Sequence, residues 1–229
     1  MKVVILAGGK GSRLSELTKS IPKPMVKIRG IPIIERIIKL YKKFGFKEFI
    51  IASGYKSKII KDHFKYNLKD LNIRVIFTGN NSMTGGRIKR LKKYLNEEKF
   101  LLTYGDGLCD VNIKKLIKFH DKNKNYVTLT AVRPPARFGG LKISRNKVKY
   151  FKEKSSLDEG WINGGFFVMN SKIFKFLKDD NTVLERSPLE KISKLKKLGA
   201  YKHYKNWQCM DTIRDKIFLE ELLKKKIFY

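Results

Sequence analysis

The sequence predicts an α/β protein: a mixed, mostly parallel central sheet flanked by helices, with a small antiparallel part in the second half. Short apolar runs alternate with amphipathic stretches at helical spacing through about residue 126, the pattern of a parallel sheet covered on both faces. Several of these runs open into glycine-bearing loops, after Ala7, Phe77 and Tyr104. From Val127 onward, alternating runs pair around turn residues instead, as antiparallel strands do.

The elements follow in order. Val3 to Ala7 is a continuous apolar run and reads as a buried strand. Ile33, Ile34, Ile37, Ile38 and Tyr41 recur at helical spacing, with charged residues between them, up to Gly45. Phe49 to Ala52 is a second strand; Ile59, Ile60, His63 and Phe64 line a second helix; Ile73 to Phe77 is a third strand. Thr78 to Gly86 reads as a polar, glycine-rich loop leading to a helix marked by Ile88, Leu91 and Leu95. Phe100 to Tyr104 is a central strand, and a helix built on Ile113, Leu116, Ile117 and His120 follows, with His120 structural and Asp110 leading into or capping it. Further strands are expected at Val127 to Val132, Gly140 to Ile143, Val148 to Lys154, Trp161 to Met169 and Ala200 to Tyr204, and helices at Pro188 to Lys197 and Thr212 to Lys225. The 229 residues suffice for one domain, with a first half of about 1–126 and a second of about 127–229.

Charge and cysteine content narrow the function classes. The chain has 52 Lys and Arg against 21 Asp and Glu, a net charge of +31. Such an excess attracts polyanions, yet the lysines are scattered, without a basic tail or a zinc-finger spacing. We read them as a solvated surface that favours anionic small molecules, not as a specific nucleic-acid site. Cys109 and Cys209 form neither a metal-ligand spacing nor a disulfide framework and read as small buried hydrophobes. No apolar run approaches membrane-span length, and Met1 leads directly into a strand, so a cytoplasmic protein with no membrane partner is expected.

The chemistry is concentrated in the loops. Gly8, Gly9 and Gly11 leave backbone amides unshielded, and Arg13 adds a planar charged fork suited to phosphate oxygens. Pro22 and Pro24 restrict the chain on either side of Lys23, a second phosphate clamp. Two familiar phosphate patterns do not fit. The dinucleotide fingerprint needs a glycine where Leu14 stands, and the ATPase loop needs Ser or Thr where Gly11 follows Lys10. Asp106, between Gly105 and Gly107 at the end of a strand, suits Mg²⁺, a hard ion that takes one or two carboxylates plus phosphate oxygens and water. Asp211 is the second carboxylate assigned to the metal, with an N-cap on the following helix as its competing role.

Leu-Ala-Gly-Gly-x-Gly-x-Arg-Leu at Leu6 to Leu14, followed by Pro-Lys-Pro-Met at Pro22 to Met25, resembles the signature of sugar-phosphate nucleotidylyltransferases. Ser82-Met83-Thr84-Gly85-Gly86-Arg87, Thr103-Tyr104-Gly105-Asp106-Gly107, Arg137-Phe138-Gly139, Ile162-Asn163-Gly164-Gly165-Phe166-Phe167 and Trp207-Gln208-x-Met210-Asp211-Thr212 narrow the resemblance to the glucose-1-phosphate cytidylyltransferase family. The blocks stand in family order from Lys2 to about Lys216. The resemblance implies a Rossmann-like nucleotidyltransferase fold, CTP and a sugar 1-phosphate as small-molecule substrates, and Mg²⁺.

It also implies a nucleotide-binding set of Leu6, Ala7, Gly8, Gly9, Gly11, Ser12, Arg13, Lys23, Met83, Thr84, Gly86, Arg87, Tyr104 and Gly105. In that set Gly86 leaves room for the base, and Arg87 either reads cytosine or is a solvent-facing first-turn arginine. Gly139, Glu153, Lys154, Asn163, Gly164 and Trp207 would hold the acceptor, with Lys154 on its phosphate. Arg13, Lys23 and Asp106 would carry catalysis, and Asp106 and Asp211 the metal.

Three departures from the family stand out, the first being the high basicity of the chain. Ser155 follows Lys154 where the superfamily usually has proline, and the interval from Phe64 to Ser82 lacks an inserted segment that contributes to subunit contacts in the family, which leaves a homo-oligomer open. The rivals are a nucleotidylyltransferase using another base or acceptor and, from a different class, a basic nucleic-acid-binding module.

Overall fold

The computed structural model describes residues 1–134, 140–152 and 160–228. Seven strands form one sheet in the order Leu198–Lys202, Val127–Val132, Ile162–Asn170, Lys99–Tyr104, Val3–Ala7, Glu48–Ser53, Asn72–Phe77. Ile162–Asn170 runs antiparallel to both its neighbours, and the remaining pairs are parallel. The sheet is therefore mixed and mostly parallel. Gly140–Ser144 and Lys147–Lys152 form the expected separate antiparallel pair, turning at Arg145 and Asn146 with positive φ.

The pleat of the first strand explains the two-sided core. Val3, Ile5 and Ala7 point to one side, where Ile33, Ile34, Ile37, Ile38 and Tyr41 of the helix Ile33–Lys43 pack. Val4 and Leu6 point to the other, against Ile88, Leu91, Phe167, Leu189 and Ile192. Successive residues thus serve opposite cores, which is why the run carries no polar residue.

The order of the strands positions the site. From Val3–Ala7 the chain moves outward to Glu48–Ser53 and Asn72–Phe77, then returns to the other side of the first strand as Lys99–Tyr104. The carboxyl ends of these two adjacent strands flank the point where the order reverses, the crevice in which open α/β sheets bind ligands. The Gly8 to Gly11 loop leaves one of them and Gly105-Asp106 the other.

Several boundaries differ from expectation. The helix expected after Gly86 begins at Thr84 and ends at Arg90, with a separate turn at Lys92–Tyr94, so Gly85 and Gly86 lie inside its first turn. The helix Ile113–Lys122 is capped by Asn112, whose Oδ1 accepts from the Lys115 amide, not by Asp110. The last helix, Ile213–Lys224, is capped by Thr212 in a capping box with Asp215, which leaves the Asp211 carboxylate to other partners. No helix among the described residues is long and apolar enough to cross a membrane.

His120 is buried, with Nδ1 3.0 Å from Thr128 Oγ1, and burial pushes its pKa below the usual histidine value. The unfolded chain therefore binds the proton more readily than the folded one, and stability is lost as pH falls through about 6.5. Denaturant unfolding between pH 7.5 and 5 is expected to show this loss, with a shallower dependence in His120→Gln.

Candidate active site

A cleft of about 370 Å³ opens at the sheet's reversal point. The first strand and its loop contribute Leu6, Ala7, Gly8, Gly9, Gly11, Ser12 and Arg13 to its wall. Lys23 enters from a single turn, Lys23–Met25, that follows the extended Pro22. Met83, Thr84 and Arg87 come from the start of the helix Thr84–Arg90, and Tyr104, Gly105 and Asp106 from the end of the central strand. Asp211 closes the ring of charge, and Pro24, Ser82 and Val183 complete the wall.

One ammonium organises that charge. Lys23 Nζ lies 2.6 Å from Asp106 Oδ2 and 2.7 Å from Asp211 Oδ1, and Arg13 Nη1 lies 2.8 Å from Asp211 Oδ2. Burial by itself lowers the Lys23 pKa, but the two carboxylates outweigh it and the net displacement is upward. Arg13 is largely exposed, so its ion pair is worth little on its own.

A short antiparallel ribbon brings the two aspartates together: Trp207–Cys209 pairs with Gly107–Cys109, and the Met210 amide donates to the Asp106 carbonyl at 2.8 Å. The same two carboxylates could share a divalent cation. Two hard oxygen donors beside an open cleft of about 370 Å³ fit Mg²⁺, which takes its remaining ligands from phosphate and water.

Arg87 is neither solvent-facing nor aimed freely at a base. Its guanidinium is buried and donates to the carbonyls of Gly8 (3.0 Å), Gly79 (2.7 Å) and Ser53 (3.2 Å) and to Thr78 Oγ1 (2.9 Å). Burial, followed by the charge of Arg90, lowers its pKa. A Cβ at Gly8 would sit 2.1 Å from the Arg87 guanidinium carbon, so this glycine makes room for the arginine. Gly86 does not line the cleft. A Cβ there would meet the Asp180 carbonyl oxygen at 2.4 Å, and the Gly86 amide donates to the Thr182 carbonyl. The space expected for a base is filled by the chain at 180–182.

Among the described acceptor-side residues, Asn163, Gly164 and Trp207 adjoin the cleft without lining it. Asn163 Nδ2 donates to the Tyr104 hydroxyl at 3.2 Å, and Trp207 Nε1 donates to the Gly164 carbonyl at 2.8 Å. Gly139, Glu153 and Lys154 lie outside the described residues.

Sequence reasoning missed Glu185. It accepts from the Tyr104 hydroxyl at 2.5 Å and from Thr84 Oγ1 at 2.7 Å, and a half-buried glutamate outside any loop motif gives no local signal. It also missed a cluster of Cys109, Asp110 and His203, whose ligand atoms lie within 4.8 Å of one another. There Asp110 accepts from His203 Nε2 at 2.7 Å and from the Asn206 amide and side chain, a closed set of partners that ties the ribbon to the sheet. Cys109 is buried as expected and Cys209 half-buried; burial, then the Asp211 charge, pushes the Cys209 thiol up to about 11.

Comparison with known proteins identifies the family. Residues 2–212 match the profile of the family described as nucleotidyl transferase. The chain belongs to that family. It is 44% identical, over an alignment 248 positions long, to glucose-1-phosphate cytidylyltransferase of Salmonella typhi, covering 98% of this chain and 96% of that protein. It is 41% identical, over an alignment 237 positions long, to the probable glucose-1-phosphate cytidylyltransferase of Bacillus subtilis strain 168, covering 94% and 93%. The crystal structure of HddC from Yersinia pseudotuberculosis complexed with GMP-PN superposes with a TM-score of 0.75 at 28% identity, covering 97% of this chain and 99% of that one. The fold is thus the Rossmann-like nucleotidyltransferase fold, and the chain is a nucleotidyltransferase enzyme.

Two expectations arise from these contacts. Arg87→Ala leaves buried carbonyls without their charged donor and is expected to cost about 2 kcal/mol or more in denaturant unfolding. Lys23→Ala leaves two carboxylates facing each other, so added Mg²⁺ is expected to raise its melting temperature more than that of the unsubstituted protein.

Proposed function

We propose that the protein transfers the cytidylyl group of CTP to the phosphate of glucose 1-phosphate, giving CDP-glucose and pyrophosphate, in the cytoplasm where nucleoside triphosphates are made. The observation that carries this is the convergence of Asp106, Asp211 and Lys23 at a glycine-walled cleft, in a chain whose full-length relatives bear that activity in their names.

The chain's own groups then divide the work. The amides of Gly8, Gly9 and Gly11, with Arg13, bind the β- and γ-phosphates and disperse the charge that develops on the departing pyrophosphate. Lys23 turns from the aspartates toward the α-phosphate, where charge gathers as the acceptor oxygen attacks in line. Asp106 and Asp211 would hold Mg²⁺, which when bound would supply charge neutralisation for the reacting phosphates. Lys154, by family resemblance, draws in the acceptor phosphate, and Glu153, Asn163 and Gly164 the sugar hydroxyls. The acceptor phosphate is already anionic near neutral pH, so no side chain has to remove a proton. Positioning and charge, not acid-base chemistry, supply the rate.

The test is pyrophosphate release in Mg²⁺ with each nucleoside triphosphate against glucose 1-phosphate and other sugar 1-phosphates. CTP with glucose 1-phosphate is expected to be the productive pair; release only with another base or acceptor would move the substrate assignment, and no release with any pair would overturn the reading. Asp106→Asn is expected to lower kcat at least about 100-fold, from the several kcal/mol of metal-assisted charge stabilisation lost. A Cβ at Gly9 meets nothing within 4 Å. Gly9→Ala is therefore expected to fold normally and to raise KM for the nucleotide by crowding its phosphates, as steady-state kinetics beside a melting curve would show.

A further inference from the structure

Glu185 sits where the two halves of the site meet. Its Oε2 accepts from Thr84 Oγ1, on the helix that forms the nucleotide wall, and its Oε1 accepts from the Tyr104 hydroxyl. Tyr104 in turn accepts from Asn163 Nδ2, and Asn163 Oδ1 accepts from the Gly165 amide at 3.0 Å in the strand Ile162–Asn170. That strand shifts register between Asn163 and Phe167, and the Tyr104 ring fills the notch at Gly165, whose φ is +83°.

The directions of these bonds are fixed. Thr84 Oγ1 accepts from the Leu184 amide at 2.9 Å and Tyr104 accepts from Asn163, so each hydroxyl points its single proton at Glu185. A carboxylate receives both protons, one on each oxygen; in a carboxamide one of those positions becomes an NH2 donor, so one of the two bonds has to reverse direction. Burial, then the negative charge and hydrogen bond of Glu185, raise the Tyr104 pKa, which keeps the phenol protonated as the donor.

We infer that Glu185 is a positioning residue that couples the nucleotide and acceptor halves of the site, so that occupancy of one side orders the other through Thr84, Glu185, Tyr104 and Asn163. Glu185 itself does not line the cleft; it acts through two residues that do. Displacement of Thr84 by a bound nucleotide is passed to Asn163 because both hydroxyls share one rigid carboxylate. This rests on the two-substrate reading above.

The experiment measures CTP binding by calorimetry, without divalent metal so that no turnover occurs, in the absence and presence of saturating glucose 1-phosphate. In the unsubstituted protein each ligand is expected to tighten the other by about fivefold or more. In Glu185→Gln that factor is expected to fall toward one, while CTP alone binds within about threefold of the original and the melting temperature stays close to it. Tyr104→Phe should remove the same factor, and the double variant should add nothing further, as for links in one chain. A merely structural role predicts instead a lowered melting temperature with the coupling factor intact. Retention of the factor in Glu185→Gln, or its absence in the unsubstituted protein, overturns the inference. Failure of the unsubstituted protein to bind CTP even with Mg²⁺ present and glucose 1-phosphate absent overturns the functional reading and the inference with it, a result visible before any variant is compared.

Discussion

Two carboxylates brought within reach of one another demand a cation, and in this fold the cation is Lys23. Asp106 arrives from the central strand and Asp211 from the segment before the last helix, 105 residues apart in sequence but joined by a three-residue ribbon. Unpaired and half-buried, they would repel strongly in a medium less polarisable than water. The ammonium at 2.6 and 2.7 Å removes that cost. It can do so because Pro22 and Pro24 hold its backbone in a fixed turn, so little chain entropy is spent in placing it. On the proposed reading, the same ammonium, bridging two carboxylates beside the glycine-walled cleft, would pass from these anions to the phosphates of a bound nucleotide.

Around this cluster, backbone makes room for side chains and for other backbone. Gly8 yields to the Arg87 guanidinium, which ties the ends of two neighbouring strands to the glycine loop through five oxygen acceptors. Gly85 and Gly86 yield to the chain at 180–182, which crosses the start of the helix Thr84–Arg90 and is pinned there by the Arg90–Asp180 ion pair and the Met83 amide. Two of the most glycine-dense motifs thus combine a ligand-facing surface with a packing joint behind it. The wall of the cleft is shaped from behind as much as from within.

Much of this was legible in the sequence because it is written in local chemistry. Strand and helix placement followed from periodicity, and the sheet's two-sided burial from unbroken apolar runs such as Val3 to Ala7. The proximity of Arg13, Lys23, Asp106 and Asp211 came from family resemblance and the special backbone settings of these residues. What was not legible depends on contacts between distant segments. Nothing in Arg87 or Gly86 shows that one is enclosed by Gly8 and Gly54 and the other by Asp180. Asp110 and Asp211 both precede helices, so each reads as a cap, yet Asn112 and Thr212 win those positions because their side chains reach the third amide of the helix. Glu185 carries no motif at all; its importance arises from two hydroxyls about 80 and 100 residues earlier.

The central claim is that the acceptor phosphate attacks the α-phosphorus of the nucleotide at the Lys23–Asp106–Asp211 cluster. Following the label from CTP carrying radioactive phosphorus at the α-position or the γ-position, in the presence of glucose 1-phosphate, tests it most directly. The account predicts that the α label appears in CDP-glucose and the γ label in pyrophosphate. Label from the γ-position in the sugar product, or from the α-position in CMP with no sugar nucleotide formed, would contradict it.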